Sequence, residues 1–155
     1  MKNRTLGLIK PQLAGNKTII DNVEAEIRRH GLEVSLFEEL NNLITQNYQI
    51  IATKHFKPSK SQLERFYADH KGKFFYDRLI LTMGSGDVRA YILEGENVIT
   101  KWRELIGPTK LYLAKYSHPD TFRSRFGLSD TRNGFHGSGN ENEAINEINV
   151  MFDKY

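Results

Sequence analysis

The chain of 155 residues contains no cysteine and no long apolar run. Without cysteine, a disulfide framework, a thiolate-ligated zinc site and a cysteine nucleophile are all excluded. No stretch approaches the roughly 18–20 apolar residues that cross a bilayer, and the apolar segment that follows Met-Lys-Asn-Arg-Thr5 is too short for a secretory signal peptide. We therefore predict an intracellular protein that does not insert into a membrane.

The composition is that of a globular protein, with 39% hydrophobic and 26% charged residues. This apolar fraction is too high for a disordered chain. No internal repeat, low-complexity tract or linker divides the sequence. Because the length suits one hydrophobic core rather than two, we predict a single domain over residues 1–155.

The net charge of +3 is unevenly distributed along the chain. Residues 139–155 contain four carboxylates and one lysine, a local charge of −3, so the first 138 residues carry +6. Such a surplus favours an anionic partner such as a nucleotide or other phosphates, although an ordinary solvated surface explains the charge equally well. Nucleic acid is the weakest of these partners, because no recognition motif for it is present.

The hydrophobic pattern predicts strands that alternate with helices. Strands are predicted over 5–9, 32–37 and 88–93. Helices are predicted over 16–30, from 45 or 47 to 56, from 59 or 61 to 67, and over 74–83, 97–106 and 140–152. In the first helix Gly31 is the expected C′ residue, and residues 109–139 are expected to be irregular. The alternation predicts an α+β fold, a ferredoxin-like split βαβ sandwich in which helices cover an antiparallel sheet.

The segment Asn133-Gly-Phe-His136-Gly-Ser138 is the strongest candidate for chemistry. Its glycines allow close approach to the imidazole, and the helix that follows favours a phosphate nearby. A neutral histidine is a competent nucleophile near physiological pH. A turn histidine without a role is the alternative on this segment alone.

Several cations and aromatic rings could serve phosphate and base recognition. Lys10 ends a strand, and arginine is the preferred bidentate phosphate ligand. The arginines concerned are Arg103, Arg123 and Arg132. The rings between Phe66 and Tyr76 could stack a base or belong to the core. Neither a Walker loop nor a GxGxxG motif is present, so the residues alone indicate an anion or nucleotide site of another kind.

An ordered set of motifs covers the chain from about Thr5 to Phe152. It consists of Leu-Ile-Lys10-Pro, Phe-Tyr67 with Lys-Gly-Lys-Phe-Phe75, Met83-Gly-Ser-Gly, Trp-Arg103-Glu-Leu-Ile-Gly-Pro-Thr109, Phe-Arg123 and Asn133-Gly-Phe-His136-Gly-Ser138. This set resembles the nucleoside diphosphate kinase family. Within the family it is most similar to the divergent group II, and there to the type 6 enzymes.

The resemblance implies ping-pong transfer of the γ-phosphate of ATP or another NTP to an NDP, through a phosphohistidine at His136. Glu147 matches the carboxylate that orients the imidazole, and Tyr67 matches a side chain close to the catalytic histidine and Lys10. Phe75 matches the ring that stacks on the base. The remaining matches to nucleotide-binding residues are Lys10, Arg103, Thr109, Arg123 and Asn133. Mg²⁺ would arrive with the nucleotide, and no separate protein metal site is expected.

Two positions depart from the family pattern. The family usually has an aspartate after Lys-Pro, where this chain has Gln12. It also usually has an aspartate after His-Gly-Ser, where this chain has Gly139. The second aspartate normally lies near the metal and helps to set the turn, so reduced activity is expected. The alternative hypothesis is therefore a catalytically weak nucleotide-binding or protein-partner module on the same fold.

The resemblance leaves the assembly and the compartment open. The chain ends at Tyr155 without the C-terminal extension of group I, so the resemblance does not imply a group I hexamer, and a homo-oligomer and a protein partner both stay open. The start shows no Arg- and Ser-rich transit peptide, yet the type 6 subgroup is associated with mitochondria. Cytoplasmic and mitochondrial locations are both retained.

Overall fold

The computed structural model describes residues 2–41, 48–130 and 132–153 as a four-stranded sheet with flanking helices. The strands are β1 (Lys2–Ile9), β2 (Tyr48–Phe56), β3 (Val88–Glu96) and β4 (Phe135–Gly137). The helices are α1 (Pro11–Ala14), α2 (Lys17–Asn41), α3 (Lys60–Phe66), α4 (Tyr76–Met83), α5 (Val98–Ile106), α6 (Leu111–Ser117), α7 (Phe122–Phe126) and α8 (Glu141–Phe152), with a 3-10 turn at Ala68–His70. Of the helices in these ranges, none is both long and apolar enough to cross a bilayer.

The sheet has the strand order β2-β3-β1-β4, and each neighbouring pair is antiparallel. Because β1 and β2 both run antiparallel to β3, they are parallel to each other with β3 between them. Their connection through α2 is a split βαβ unit, and β3, α5 and β4 form a second such unit around β1. This topology confirms the predicted α+β, ferredoxin-like fold.

Apolar side chains of the two central strands alternate between the faces of the sheet. On one face Ile9 and Leu93 pack with residues of α2 and α5, including Trp102. On the other face Leu8 and Ile92 pack with residues of α3, α4 and α8. Since both faces are covered, β1 is apolar from Leu6 to Ile9 and β3 from Ala90 to Leu93, which is why the sequence pattern indicates a strand at each of these places.

Several predicted helices are confirmed together with their first residues. The side chain of Asn16 accepts a hydrogen bond from the Ile19 amide at the start of α2. Ser59 and Gln62 form a reciprocal capping box at the start of α3. Asn140 accepts from the amide of Glu143 at the start of α8. In each case the side chain satisfies a backbone donor that the helix itself cannot pair.

The prediction of a strand over 32–37 is wrong, because α2 continues through Gly31 to Asn41. One glycine inside a helix costs only about 1 kcal/mol relative to alanine, which is too little to end a helix whose neighbours favour it. Leu32, Leu36 and Leu40 recur every four residues. The short segment therefore fits both the two-residue period of a strand and the period of a helix. In the structure it is helical.

The prediction of a helix ending at Phe56 is also wrong, because Tyr48–Phe56 is strand β2 at the edge of the sheet. The predicted helix starts at Thr45 and Asn47 lie outside the described residues. The pairing of β2 with β3 shifts register between Ile50 and Ala52. Such a bulge interrupts the alternation of inward and outward side chains that marks a strand in a sequence.

Residues 109–139 contain more regular structure than expected, namely α6, α7 and β4. These elements have seven, five and three residues, too few to show a clear period. Along α8 the apolar residues Ala144 and Ile148 are buried, but Ile145 is 60% exposed. The helix turns Ile145 about 100° away from Ala144, and the sheet covers only the stripe that contains Ala144 and Ile148.

The indole of Trp102 packs against both β1 and β4. Gly7 of β1 and Gly137 of β4 are opposite each other in the sheet. A Cβ atom would lie 3.0 Å from the Trp102 ring at Gly7 and 2.7 Å from it at Gly137. Both positions therefore need glycine for space, because the fully buried indole occupies the volume above them.

We predict that Gly137→Ala lowers the free energy of unfolding by about 1–3 kcal/mol, since the added methyl group overpacks the indole. Gly15→Ala is the matched control, because no atom lies within 4 Å of the place that its Cβ would take and its φ of −80° suits alanine. Urea denaturation followed by tryptophan fluorescence measures both. Equal stability of the two variants would contradict the packing constraint.

Candidate active site

The backbone of His136 is held from two sides. It pairs with Leu8 in the antiparallel contact of β4 with β1, and its carbonyl accepts a hydrogen bond from Trp102 Nε1 at 3.0 Å. Two residues later, the buried Ser138 hydroxyl accepts from the amide of Leu6 at 3.1 Å. The segment around the imidazole is therefore part of the sheet, although its sequence pattern predicts irregular structure.

The imidazole of His136 is bound to one carboxylate. Its Nε2 lies 2.6 Å from Oε2 and 3.1 Å from Oε1 of Glu147, which projects from α8 and is 6% exposed. A carboxylate can only accept, so the proton belongs on Nε2 and the lone pair on Nδ1. With 24% of the His136 side chain exposed, Nδ1 is the nitrogen available for attack on a substrate.

Two aromatic residues from the end of α3 pack around this pair. The ring of Phe66 meets the imidazole edge to face, with centroids 4.9 Å apart. Tyr67 is buried beside it, and the pKa of its hydroxyl is raised by burial and, second, by the negative charge of Glu147. The hydroxyl therefore stays protonated at all physiological pH values and can only act as a neutral donor or acceptor.

Three cations approach the same end of the sheet. Burial and then the charge of Arg123 lower the pKa of Lys10 to about 8. Burial and then the charge of Arg103 lower the pKa of Arg123 to about 10. Within the described part of the chain, none of the three forms an ion pair with a carboxylate. The arrangement is that of a receptor for an anion.

The two arginines are held by backbone carbonyls. Arg123 donates from Nη1 to Gly107 and from Nη2 to Phe135, the residue before His136. Arg103 donates from Nη1 to the carbonyl of Gly139 at 3.4 Å. Thr109 lies with both in the lining of a cavity of about 520 Å³, together with His118 and Glu104. The predicted Arg103, Thr109 and Arg123 are thus brought to one cavity.

Asn133 and Phe75 lie at the two flanks of the site. Asn133 is buried, and its amide donates to the carbonyl of Asp130 at 3.0 Å, so it also holds the loop before β4. Phe75 is half-buried at the start of α4, and its ring centroid is 5.4 Å from that of His70. The His70 ring in turn lies 6.2 Å from Tyr67, so a row of rings leads from Phe75 toward His136.

Sequence reasoning misses the contacts of Phe66 and Trp102 with His136 and assigns no role to His118. Phe66 and Trp102 stand inside the family motifs, but only their contacts with the ring and the carbonyl of His136 show what they do. His118 lines the cavity with the arginines. No sequence signal marks it, because a histidine before a proline in an irregular stretch has no characteristic spacing.

The two departures from the family pattern have different surroundings. Both amide atoms of Gln12 are buried, and neither has a partner among the described residues. The amide of Gly139 donates to Oε2 of Glu143 at 2.9 Å. Thus position 139 lies next to a carboxylate although its own side chain is absent.

No group of three or more His, Asp or Glu side chains in the described ranges could hold a metal ion. The one carboxylate on His136 is already used by Nε2. An ion at this site would depend on ligands that a phosphate-bearing substrate brings.

Comparisons with known proteins identify the family. The nucleoside diphosphate kinase model matches residues 38–155. Nucleoside diphosphate kinase 6 from Danio rerio is 44% identical over 120 residues, which cover 77% of this chain and 69% of that protein. The chain belongs to the nucleoside diphosphate kinase family. The predicted similarity to the type 6 nucleoside diphosphate kinases is thereby confirmed.

Solved nucleoside diphosphate kinases share the fold. The enzyme from Aquifex aeolicus superposes with a TM-score of 0.83 at 30% identity, covering 98% of this chain and 96% of that one. The enzyme from Halobacterium salinarum, solved in complex with CDP, has a TM-score of 0.79 at 26% identity and covers 99% and 90% of the two chains. The nucleoside diphosphate kinase fold therefore extends over the N-terminal residues that the family model does not match.

We predict that Lys10→Met raises the free energy of unfolding at pH 7 by about 1–3 kcal/mol, because it removes a buried charge that has no counter-ion among the described residues. The pKa of Lys10 is about 8 when folded, against an ordinary 10.5. Between these values the unfolded chain binds more protons, so the stability of the unmodified protein rises with pH. The gain from Lys10→Met is therefore full below pH 8 and fades toward pH 10.5.

Chemical denaturation from pH 6 to pH 10 tests this prediction. Lys115→Met, at an exposed position of α6, controls for the loss of one positive charge. Parallel pH dependence of Lys10→Met and the unmodified protein would show that Lys10 is not a desolvated cation.

Proposed function

We propose that this protein is an active nucleoside diphosphate kinase that transfers the γ-phosphate of an NTP to an NDP through a phosphohistidine at His136. The observation that carries the proposal is the pairing of His136 Nε2 with Glu147, which leaves Nδ1 as the nucleophile in a segment whose carbonyls at Phe135 and Gly139 accept from Arg123 and Arg103. Phosphoryl transfer requires little more from a protein than a placed nucleophile and charges on the phosphate oxygens.

In the first half-reaction the Nδ1 lone pair attacks the γ-phosphorus. An N–P bond forms, the bond between this phosphorus and the bridging oxygen breaks, and the NDP leaves with that electron pair. The proton on Nε2 stays in place, and the Glu147 carboxylate stabilises the positive charge that the ring acquires. In the second half-reaction a terminal oxygen of another NDP attacks this phosphorus, an O–P bond forms, and the N–P bond breaks with its electron pair returning to Nδ1, which restores the initial state of His136.

The cations are proposed to bind the polyphosphate. Lys10 is buried and has no carboxylate partner in the described part of the chain, so the phosphates of the substrate would supply its anionic partner. Binding of this anion would raise the lowered pKa of Lys10. Arg123 and Arg103 already have their guanidinium groups oriented by backbone carbonyls, so little side-chain entropy would be lost on binding. Thr109 adds a hydroxyl on the same cavity wall.

The remaining predicted contacts concern the base and sugar of the nucleotide, the surroundings of His136 and the metal ion. Phe75 would stack on the base, a contact that tolerates every base because each has a π-face. Asn133 would contact the sugar end of the nucleotide with the hydrogen-bonding capacity that its bonds to the Asp130 carbonyl and the Phe135 amide leave. Tyr67 would donate its neutral hydroxyl near the catalytic pair. Mg²⁺ would enter as part of the substrate, bound to its phosphates.

A catalytically weak nucleotide-binding module is the second candidate. It is favoured by one observation, the buried amide of Gln12 that has no partner among the described residues. An unsatisfied amide destabilises its surroundings by about 1–3 kcal/mol, and it replaces the family's aspartate close to Lys10. Binding of nucleotide would persist in such a module, whereas phosphorylation of His136 would not.

We predict that the protein, incubated with γ-labelled ATP and Mg²⁺, forms an acid-labile, base-stable phosphoprotein whose label passes to an added NDP with a different base. His136→Ala abolishes the label, and His55→Ala, at an exposed position of β2, retains it. Binding of ADP without labelling would favour the weak module. Transfer that persists in His136→Ala would overturn the mechanism.

We also predict that Glu147→Gln slows the labelling of His136 by roughly 10–100-fold, because the amide keeps the geometry but not the charge that stabilises the ring. Single-turnover labelling measures the rate directly. Glu141→Gln, which removes a carboxylate from the first turn of the same helix, is the control. An unchanged rate in Glu147→Gln would remove Glu147 from the mechanism.

A further inference from the structure

The start of α8 is closed by an unusual pair of hydrogen bonds. The side chain of Asn140 accepts from the amide of Glu143 at 2.9 Å, as in an ordinary capping box. In such a box the Glu143 carboxylate would return to the amide of Asn140. Here it reaches one residue further back, to the amide of Gly139, also at 2.9 Å.

The carboxylate of Glu143 also fills the place of a side chain at position 139. A Cβ atom built on Gly139 would lie 2.5 Å from Glu143 Oε2. The backbone itself does not demand glycine, since Gly139 is not among the described glycines with positive φ, which are Gly72, Gly107 and Gly134. A side chain at position 139 would therefore have to displace the Glu143 carboxylate from the place that it occupies.

The backbone of Gly139, whose amide Glu143 holds, is linked to the candidate site through its carbonyl, in the next peptide group. The carbonyl of Gly139 accepts from Arg103 Nη1 at 3.4 Å. Gly139 and Arg103 both line the cavity that also contains Thr109 and Arg123. A displacement of the Gly139 peptide would therefore move the acceptor that orients the Arg103 guanidinium.

We propose that Glu143 is a positioning residue that fixes the Gly139 peptide and, through it, orients Arg103 toward the bound phosphates. Positions 139 and 143 then share one volume, so a side chain at 139 and the carboxylate of Glu143 exclude each other. The part that concerns Arg103 rests on the proposed function, whereas the exclusion between 139 and 143 does not.

The first experiment tests the shared volume without any nucleotide. Glu143→Ala and Gly139→Ala should each lower the melting temperature by about 2–4 °C, because each breaks the same hydrogen bond. The double variant should be no less stable than either single one, since the bond can be lost only once. If the losses in melting temperature of the two single variants added up in the double variant, the exclusion would be overturned. It would also be overturned if Glu143→Ala were as stable as the control Glu141→Ala.

The second experiment tests the link to Arg103 by calorimetric titration with ADP and Mg²⁺. Glu143→Ala should weaken binding about fivefold, the loss typical of one hydrogen bond. Glu143→Gln, which keeps an acceptor oxygen, should stay within about twofold of the unmodified protein. In an Arg103→Ala background the Glu143→Ala change should have no further effect.

The outcomes separate the two claims. A full fivefold loss in the Arg103→Ala background would show that Glu143 does not act through Arg103. A loss in Glu143→Gln as large as in Glu143→Ala would show that the acceptor oxygen is not what matters. An unmodified protein that binds no ADP would overturn the proposed function and the Arg103 link, while the thermal cycle still decides the exclusion.

Discussion

The packing of one indole against two glycines is the constraint on which the candidate site depends. Trp102 occupies the space above Gly7 and Gly137, and its Nε1 donates to the carbonyl of His136. This single side chain therefore fixes how closely α5 approaches the sheet, and it fixes the short strand that carries the imidazole. Because interiors are densely packed, His136 has little freedom to move relative to Glu147.

The electrostatics of the site follow from where the sheet ends. Lys10 leaves β1 beside the start of β4, where its amide donates to the carbonyl of Gly134, and Arg123 reaches the same strand end from α7. Their burial depresses both pKa values, so the protein without ligand carries a charge that its described carboxylates do not neutralise. Buried cations of this kind destabilise the free protein, and pairing with an anion would relieve that cost.

The accuracy of the sequence predictions varies with how completely an element is buried and how long it is. The central strands β1 and β3 are predictable because both faces of the sheet are covered. The edge strand β2 resembles a helix in sequence because a bulge breaks its alternation. The true end of α2 is hidden because a glycine that normally marks a helix terminus lies inside it. Among the candidate residues, the sequence indicates Lys10 and Glu147 but not Phe66 or His118, since these two are joined to the site only in space.

The sequence by itself determined the chemistry that is available. The lack of cysteine excluded thiol chemistry, and the ordered motifs indicated the nucleoside diphosphate kinase family with His136 as the candidate nucleophile, because residue types and their order are sufficient for that inference. Only the tertiary structure decided which nitrogen of His136 is free and how the Gly139 departure is accommodated. Both features depend on α8 packing so that Glu147 contacts His136 and Glu143 contacts Gly139. Contacts between residues of different elements cannot be predicted from local sequence patterns.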